Sequence, residues 1–405
     1  MIAVATGKRD DDLSGGDELA RPASAMSADL PKTTDVAVIG AGAFGVWTAL
    51  HLVEAGLSVT LIDMFGAGNE RSSSGGESRN IRAAYAGNAF YTGWAREAWS
   101  RWLEREAEFG VRLVYPCGSL RAGTSAELAD QARLFAEIEA PWEQLGPDEV
   151  AYRWPQVSPA GENVFYEPES GVLAAMRSLQ AVERAFLRRG GLVVRGEAQL
   201  TRGSASTRLQ VDGHALHCDT IVLACGPWLR SLLPGLLGAL IRTPRRELVF
   251  IAPPPGDTRY GWERCPNLVD ALGWTSADLG NGVKIAPPMR GIDMDPNEAD
   301  REPSPLALDG AEAFVRARLP GLVGRPVVST YVSQLENTAS EDFIIDRHPD
   351  VPRVIIAGGG SGHAFKFGPV LGDYVAKAVL AGSAGEHVNR FGLAAHRPLR
   401  AGEGA

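Results

Sequence analysis

The stretch "DVAVIGAGAFGVWTALHLVEAGLSVTLIDMF", Asp35–Phe65, decides the fold. It opens on an apolar run that ends in glycines, as a buried parallel strand does. Phe44, Trp47, Leu50 and Val53 then recur near helical spacing, with Gly56 as the stop. "LSVTLIDMF" is a second apolar run and reads as a second strand. Such a strand–helix–strand unit closes with a right-handed crossover, so its strands are parallel neighbours. Gly40, Gly42 and Gly45 stand in GxGxxG spacing at the strand-to-helix turn, with Ala43 and Phe44 between the last two. The first glycine allows the tight turn, the second lets backbone approach a pyrophosphate, and the third permits close packing of helix on strand. Asp63 closes the second strand, where a carboxylate reaches ribose hydroxyls. Together these features predict a dinucleotide site, but they do not separate NAD from FAD.

A chain of 405 residues has room for two or three domain-sized units. A net charge of −9 without any basic tract argues against a nucleic-acid partner. Cys117, Cys218, Cys225 and Cys265 show no CxxC spacing, and Asp342, Asp346 and Asp350 show no metal spacing, so no metal is expected. No apolar stretch reaches the roughly 18 to 20 residues of a membrane span. The start of the chain lacks the apolar core of a secretory signal, so residues 1–33 read as a disordered leader and the protein as cytoplasmic.

Past the first unit, "GAGNERSSSGGESRNIRAAY" reads as a polar loop and "AFYTGWAREAWSRWLEREAEFG" as a helix packed through its aromatic residues. Arg79 and Arg82 lie three apart, which on a helical turn would put them on one face. "GLVVRGEAQLT" and "TIVLACGPW" read as a pair of strands, the second ending in a turn at Gly226. Arg242 to Asn337 is rich in prolines and short strands and reads as an insertion. "PRVIIAGGGSGHAFKFGPVLGDYVAKAVL" repeats the order strand, glycine loop, helix. A helix starting there would aim its N–H groups at the pyrimidine edge of a flavin, which favours FAD. Within this loop Lys366 sits between Phe365 and Phe367. An ammonium there either snorkels to solvent or meets an anion, because burying it unpaired costs several kcal/mol. His363 beside Ser361 is no nucleophile pair, since no orienting acid is placed, and it reads as shaping the loop.

With these pieces in hand the chain resembles the FAD-dependent amine and amino-acid oxidases of the monomeric sarcosine oxidase type, from about Asp35 to Leu380. The motifs that carry the resemblance are "GESRNIRAAY", "RWPQVS", "YEPESGVL", "GNGVKIA", "EDFIIDRHPD" and "GGGSGHAFKFGP". It implies a bilobal α/β flavoprotein: a discontinuous Rossmann-like FAD-binding domain (34–113, 169–241, 340–395) and a mixed-sheet substrate domain (114–168, 242–339), with 396–405 as a tail. It implies cofactor contacts from Gly40, Gly42, Ala43, Phe44, Gly45, Asp63, Ser73, Ser74, Arg79, Gly226, Gly360, Gly362, His363, Phe365 and Lys366. Arg82 and Lys366 match the pair that grips the substrate carboxylate, and Lys284 matches the lysine that promotes reaction with dioxygen, with Arg79 beside the flavin. By itself, alternation with Val283 and Ile285 would point Lys284 outward on a half-exposed strand.

The chain also departs from that pattern. Ser333 falls where the family's cysteine bonds covalently to flavin, so dissociable FAD is expected. Two family histidines fall at Gly75 and Pro288, which implies an amine larger than, or shaped differently from, sarcosine. The partners expected are a small amine or amino-acid substrate and dioxygen, in a monomer or homodimer.

Overall fold

The computed structural model describes residues 30–400 except 86, 160, 162, 203–206, 289–291 and 299. Residues 1–29 of the expected leader and 401–405 of the expected tail lie outside the described residues, and Thr33 already belongs to the first strand.

Among the described residues, parallel strands at the centre of one sheet run in the order Leu192–Arg195, Val59–Asp63, Thr33–Ile39, His214–Leu223 and Val351–Gly358. The two stretches read as a strand pair therefore share this sheet without being neighbours, because the first unit lies between them. The strands are apolar on both faces because both are covered. Helices Ala43–Glu54 and Gly368–Ala381 lie on one face, and the residues around Leu209, Leu216 and Leu237 lie on the other. A Cβ on Gly372 would come within 2.5 Å of the Trp47 backbone, so the two helices approach as closely as glycine allows. Trp47 and Leu50 are fully buried at this crossing, and a buried leucine stabilises by about 1.5–3 kcal/mol. Trp102, from helix Ala89–Phe109, meets the Trp47 ring edge-on at 5.2 Å.

A second sheet begins with Val327–Gln334, Arg245–Ile251, Val283–Ala286 and Gly273–Ser276. Strand alternation divides its residues. Val249, Ile251, Val283 and Ile285 pack on helix Pro305–Arg318 through Phe314 and Val315. Cross-strand partners Phe250 and Lys284, and Arg246 and Ser333, share the opposite face. A small third sheet, with Gly171–Ala174 between Ser78–Ile81 and Val114–Pro116, ties the two together. The Asn80 amide donates to the Thr275 carbonyl at 2.7 Å across that junction.

One expectation needs correction, and the alternation taken by itself misleads at Lys284. Ser78–Ile81 is a strand, so Arg79 and Arg82 share no helical face. Lys284 does not point outward: all four residues of its strand are buried, and Lys284 is 1% exposed. Among the described residues, no helix is long and apolar enough to cross a membrane.

Candidate active site

Glycine turns follow the carboxyl ends of three adjacent parallel strands, the edge at which open α/β sheets bind their ligands. Gly40 has φ +103°, and a Cβ there would lie 2.3 Å from the Ala224 carbonyl oxygen. Gly45 closes against the Gly40 carbonyl, where any side chain would collide. Gly42 caps helix Ala43–Glu54 without a side chain, and the Ser74 hydroxyl accepts from the Ala43 N–H at 3.0 Å. Asp63 accepts from the N–H groups of Ala41, Phe65 and Gly66 at 2.7, 2.7 and 2.5 Å. Its carboxylate thus braces the turn and keeps about one further acceptor position for a ribose hydroxyl. Gly226 follows the strand His214–Leu223, and Gly360 and Gly362 follow Val351–Gly358. Phe44 reaches from the helix to Phe343 and to the face of Gly360. The Ser73 hydroxyl donates to the Gln334 carbonyl at 2.5 Å, fastening the polar loop to the second sheet.

Lys366 lies in the short turn Ala364–Phe367 and is 6% exposed. The Trp102 indole donates to its carbonyl at 2.7 Å and fixes the turn from below. Its Nζ donates to the Tyr85 hydroxyl at 2.6 Å and lies 4.7 Å from the Tyr85 ring centroid and 5.4 Å from that of Phe367. The Tyr85 hydroxyl also meets His363 Nδ1 at 3.0 Å, and His363 Nε2 meets the Glu341 carbonyl at 2.9 Å. A carbonyl only accepts, so Nε2 carries the proton. Burial, then Lys366, pushes the imidazole down to about 3, so it is neutral and Nδ1 accepts from Tyr85. The Tyr85 oxygen is left to receive the Lys366 N–H. Arg82 lies over the other part of this cluster, 5.6 Å from the Tyr85 ring, and donates to the Ala84 carbonyl.

Glu167 holds this corner from behind, accepting from the N–H groups of Ala83 and Ala84 at 2.6 and 3.1 Å. Burial pushes its carboxyl up to about 7 against those bonds and the nearby Arg82. Lys366 is pulled well below its ordinary value by burial and then by Arg82, with Glu167 opposing. Among the described residues, neither Arg82 nor Lys366 forms an ion pair. Buried Lys366 and half-buried Arg82 therefore converge beside one tyrosine, an arrangement that suits a carboxylate.

Lys284 belongs to a different cluster. Its Nζ donates to the Ser78 carbonyl and hydroxyl at 2.6 and 2.7 Å and lies 5.1 Å from the Trp274 ring centroid. Burial, then Arg79, lowers its pKa well below the ordinary value, with Glu77 opposing and Arg246 adding to the fall. Arg79 donates to the carbonyls of Ser73 and Gly75 at 2.8 and 2.5 Å and lies 5.8 Å from the Phe365 ring centroid. Arg246 leans on Trp274 at 5.7 Å and is pushed down to about 10 by burial. Arg79 and Arg82 thus serve two different places.

Ser333 is buried opposite Arg246. A Cβ at Gly75 would lie 2.3 Å from the Asn69 carbonyl and 2.7 Å from the Tyr331 hydroxyl, so the missing histidine leaves no extra space there. Pro288 is exposed just beyond the Lys284 strand. Tyr85 and Glu167 carried no assigned role in the sequence reading, although both stand inside quoted motifs. Arg246, Trp274 and Tyr331 gave no local signal at all.

Residues 35–378 match the family model described as FAD dependent oxidoreductase. The chain is 30% identical over 363 residues to the peroxisomal sarcosine oxidase of Homo sapiens, covering 84% of this chain and 90% of that one. It is 28% identical over 378 residues to the monomeric sarcosine oxidase of Bacillus sp. (strain B-0618), covering 89% and 95%. Its fold matches the crystal structure of the deglycating enzyme fructosamine oxidase from Aspergillus fumigatus with a TM-score of 0.77, at 21% identity and 90% coverage of both chains.

Proposed function

The chain belongs to the FAD dependent oxidoreductase family and is an enzyme of the sarcosine oxidase and amino-acid oxidase type; from that premise we propose that it oxidises the C–N bond of an amino acid or an N-substituted, N-methyl or cyclic, amino acid. The product imine hydrolyses, and dioxygen is reduced to hydrogen peroxide. The observation that carries this reading is buried Lys366 and half-buried Arg82 meeting beside Tyr85.

FAD, when bound, supplies the two-electron acceptor and the route to dioxygen. Gly40, Gly42 and the first turn of helix Ala43–Glu54 would hold its pyrophosphate, and Asp63 its ribose. Arg82 and Lys366 grip the substrate carboxylate and set the C–H bond to be broken. Tyr85 and neutral His363 fix the Lys366 ammonium and take no proton from it. Holding the acid at two points fixes the rest of the molecule, and such positioning carries a large part of a rate. Lys284, held by Ser78 beside Arg79 and Arg246, places an N–H donor where dioxygen acquires electrons. A screen of amines for peroxide release tests the reading. Peroxide from acid-bearing amines is the expected result, and none from any amine would overturn it.

Ser333 offers no thiolate, so the cofactor is expected to dissociate. Acid precipitation should leave the yellow colour in the supernatant; colour in the pellet would contradict this.

Carboxylate binding should also be linked to protons. Burial and Arg82 hold Lys366 well below the ordinary 10.5, and an incoming carboxylate favours the ammonium. The groups that face it are Tyr85, Arg82, Glu167 and, through Tyr85, His363. Affinity for a small carboxylate should therefore fall as pH rises through the Lys366 value. Calorimetry in buffers of different ionisation heat should find proton uptake on binding, and zero uptake throughout the alkaline range would refute it.

A further inference from the structure

Glu336 is a buried carboxyl that none of the foregoing uses. It is 5% exposed and sits among the glycine turns, not among the cations. Burial pushes it up to about 7, although the nearby backbone N–H groups of Gly359 and Gly360 act to lower it. Its Oε2 has no hydrogen-bond partner among the described residues. The glycines around it are spaced for it: a Cβ on Gly358 would lie 3.0 Å from Oε2, and one on Gly360 3.1 Å from Oε1. Gly226 completes the surround at 3.9 Å from Oε1. A buried acceptor left alone costs about 1–3 kcal/mol, so such an atom in a binding crevice points to a ligand group.

Strand order identifies that group. The dinucleotide turn follows the central strand Thr33–Ile39, and Asp63 ends the strand on one side of it. Glu336 lies over the ends of His214–Leu223 and Val351–Gly358, on the other side. A dinucleotide whose pyrophosphate sits at the central turn sends its two sugar-like halves in opposite directions. Asp63 faces the adenosine half, which leaves the polyol half for Glu336. A carboxyl near neutrality suits a hydroxyl, which both donates and accepts, whereas a phosphate would repel the ionised form.

We infer that Glu336 binds a hydroxyl of the ribityl chain of FAD and is a cofactor-specificity residue of this chain. The inference rests on FAD being the dinucleotide held here.

Displacement of bound FAD by FAD analogues lacking single ribityl hydroxyls tests it, read by flavin fluorescence. In the wild type one analogue should bind about 10-fold or more weaker than FAD, the scale of a hydrogen bond to a charged group. In Glu336→Ala, FAD itself should weaken by a similar factor and that analogue should bind as FAD does. Wild-type protein that binds every analogue like FAD, or an alanine variant that still discriminates, overturns the inference and leaves the FAD reading intact. Wild-type protein that binds no FAD would overturn both. Should the alanine variant not fold, Glu336→Gln replaces it; smaller discrimination is expected, and undiminished discrimination overturns the inference.

Discussion

Lys366→Met should weaken a small carboxylate inhibitor by about 10²-fold or more, while neutral amines lose little, because truncating one partner of a desolvated charge pair costs about 2–5 kcal/mol. Methionine keeps the bulk between Phe365 and Phe367 and removes only the charge. The Tyr85 oxygen loses its N–H donor, a smaller effect of about 1 kcal/mol that falls on every ligand alike. Arg82→Met should show the same selectivity for acids. The double variant should lose less than the sum, because both cations act on one carboxylate. Inhibitor titrations against the flavin spectrum read this directly. Equal losses for acids and neutral amines would remove Lys366 from the anion site.

Lys284→Met should slow reoxidation by dioxygen by about 10²- to 10³-fold, the scale of removing one preorganised donor, with anaerobic reduction by substrate affected far less. Stability should move the other way. The folded chain holds Lys284 well below 10.5, so below that value the unfolded chain binds the extra proton and this group's contribution rises with pH. Removing the amine removes that burial penalty, although the Ser78 carbonyl and hydroxyl lose a donor. Unchanged or raised thermal stability, with slow reoxidation, is the expected pattern. Slowed reduction with normal reoxidation would defeat the assignment, and a collapse of folding would show that Lys284 is structural.

Much of the nucleotide fold could be read from the chain because its signals are local. Gly40, Gly42, Gly45 and Asp63 fall within one strand–helix–strand unit, and the apolar runs on either side fix their directions. The site was legible only in part. Tyr85 and Lys366 touch across 281 positions, and no periodicity links them. Ser78–Ile81 read as part of a polar loop because its partner strand Gly171–Ala174 lies far along the chain, and pairing overrode the three-residue spacing of Arg79 and Arg82. Lys284 alternates with apolar neighbours as an exposed lysine would, and only the contact with Ser78 explains its burial. Glu336 gave no signal because its meaning lies in glycines that belong to other strands.

The central claim is that Arg82 and Lys366 dock the acid group of an amine for oxidation. Anaerobic flavin reduction by matched pairs of amines, one member carrying a carboxylate and the other its amide, tests it most directly. The account predicts rapid bleaching by acids and slow bleaching by amides, with the difference largely abolished in Lys366→Met. Equal bleaching by both members in the wild type would contradict it.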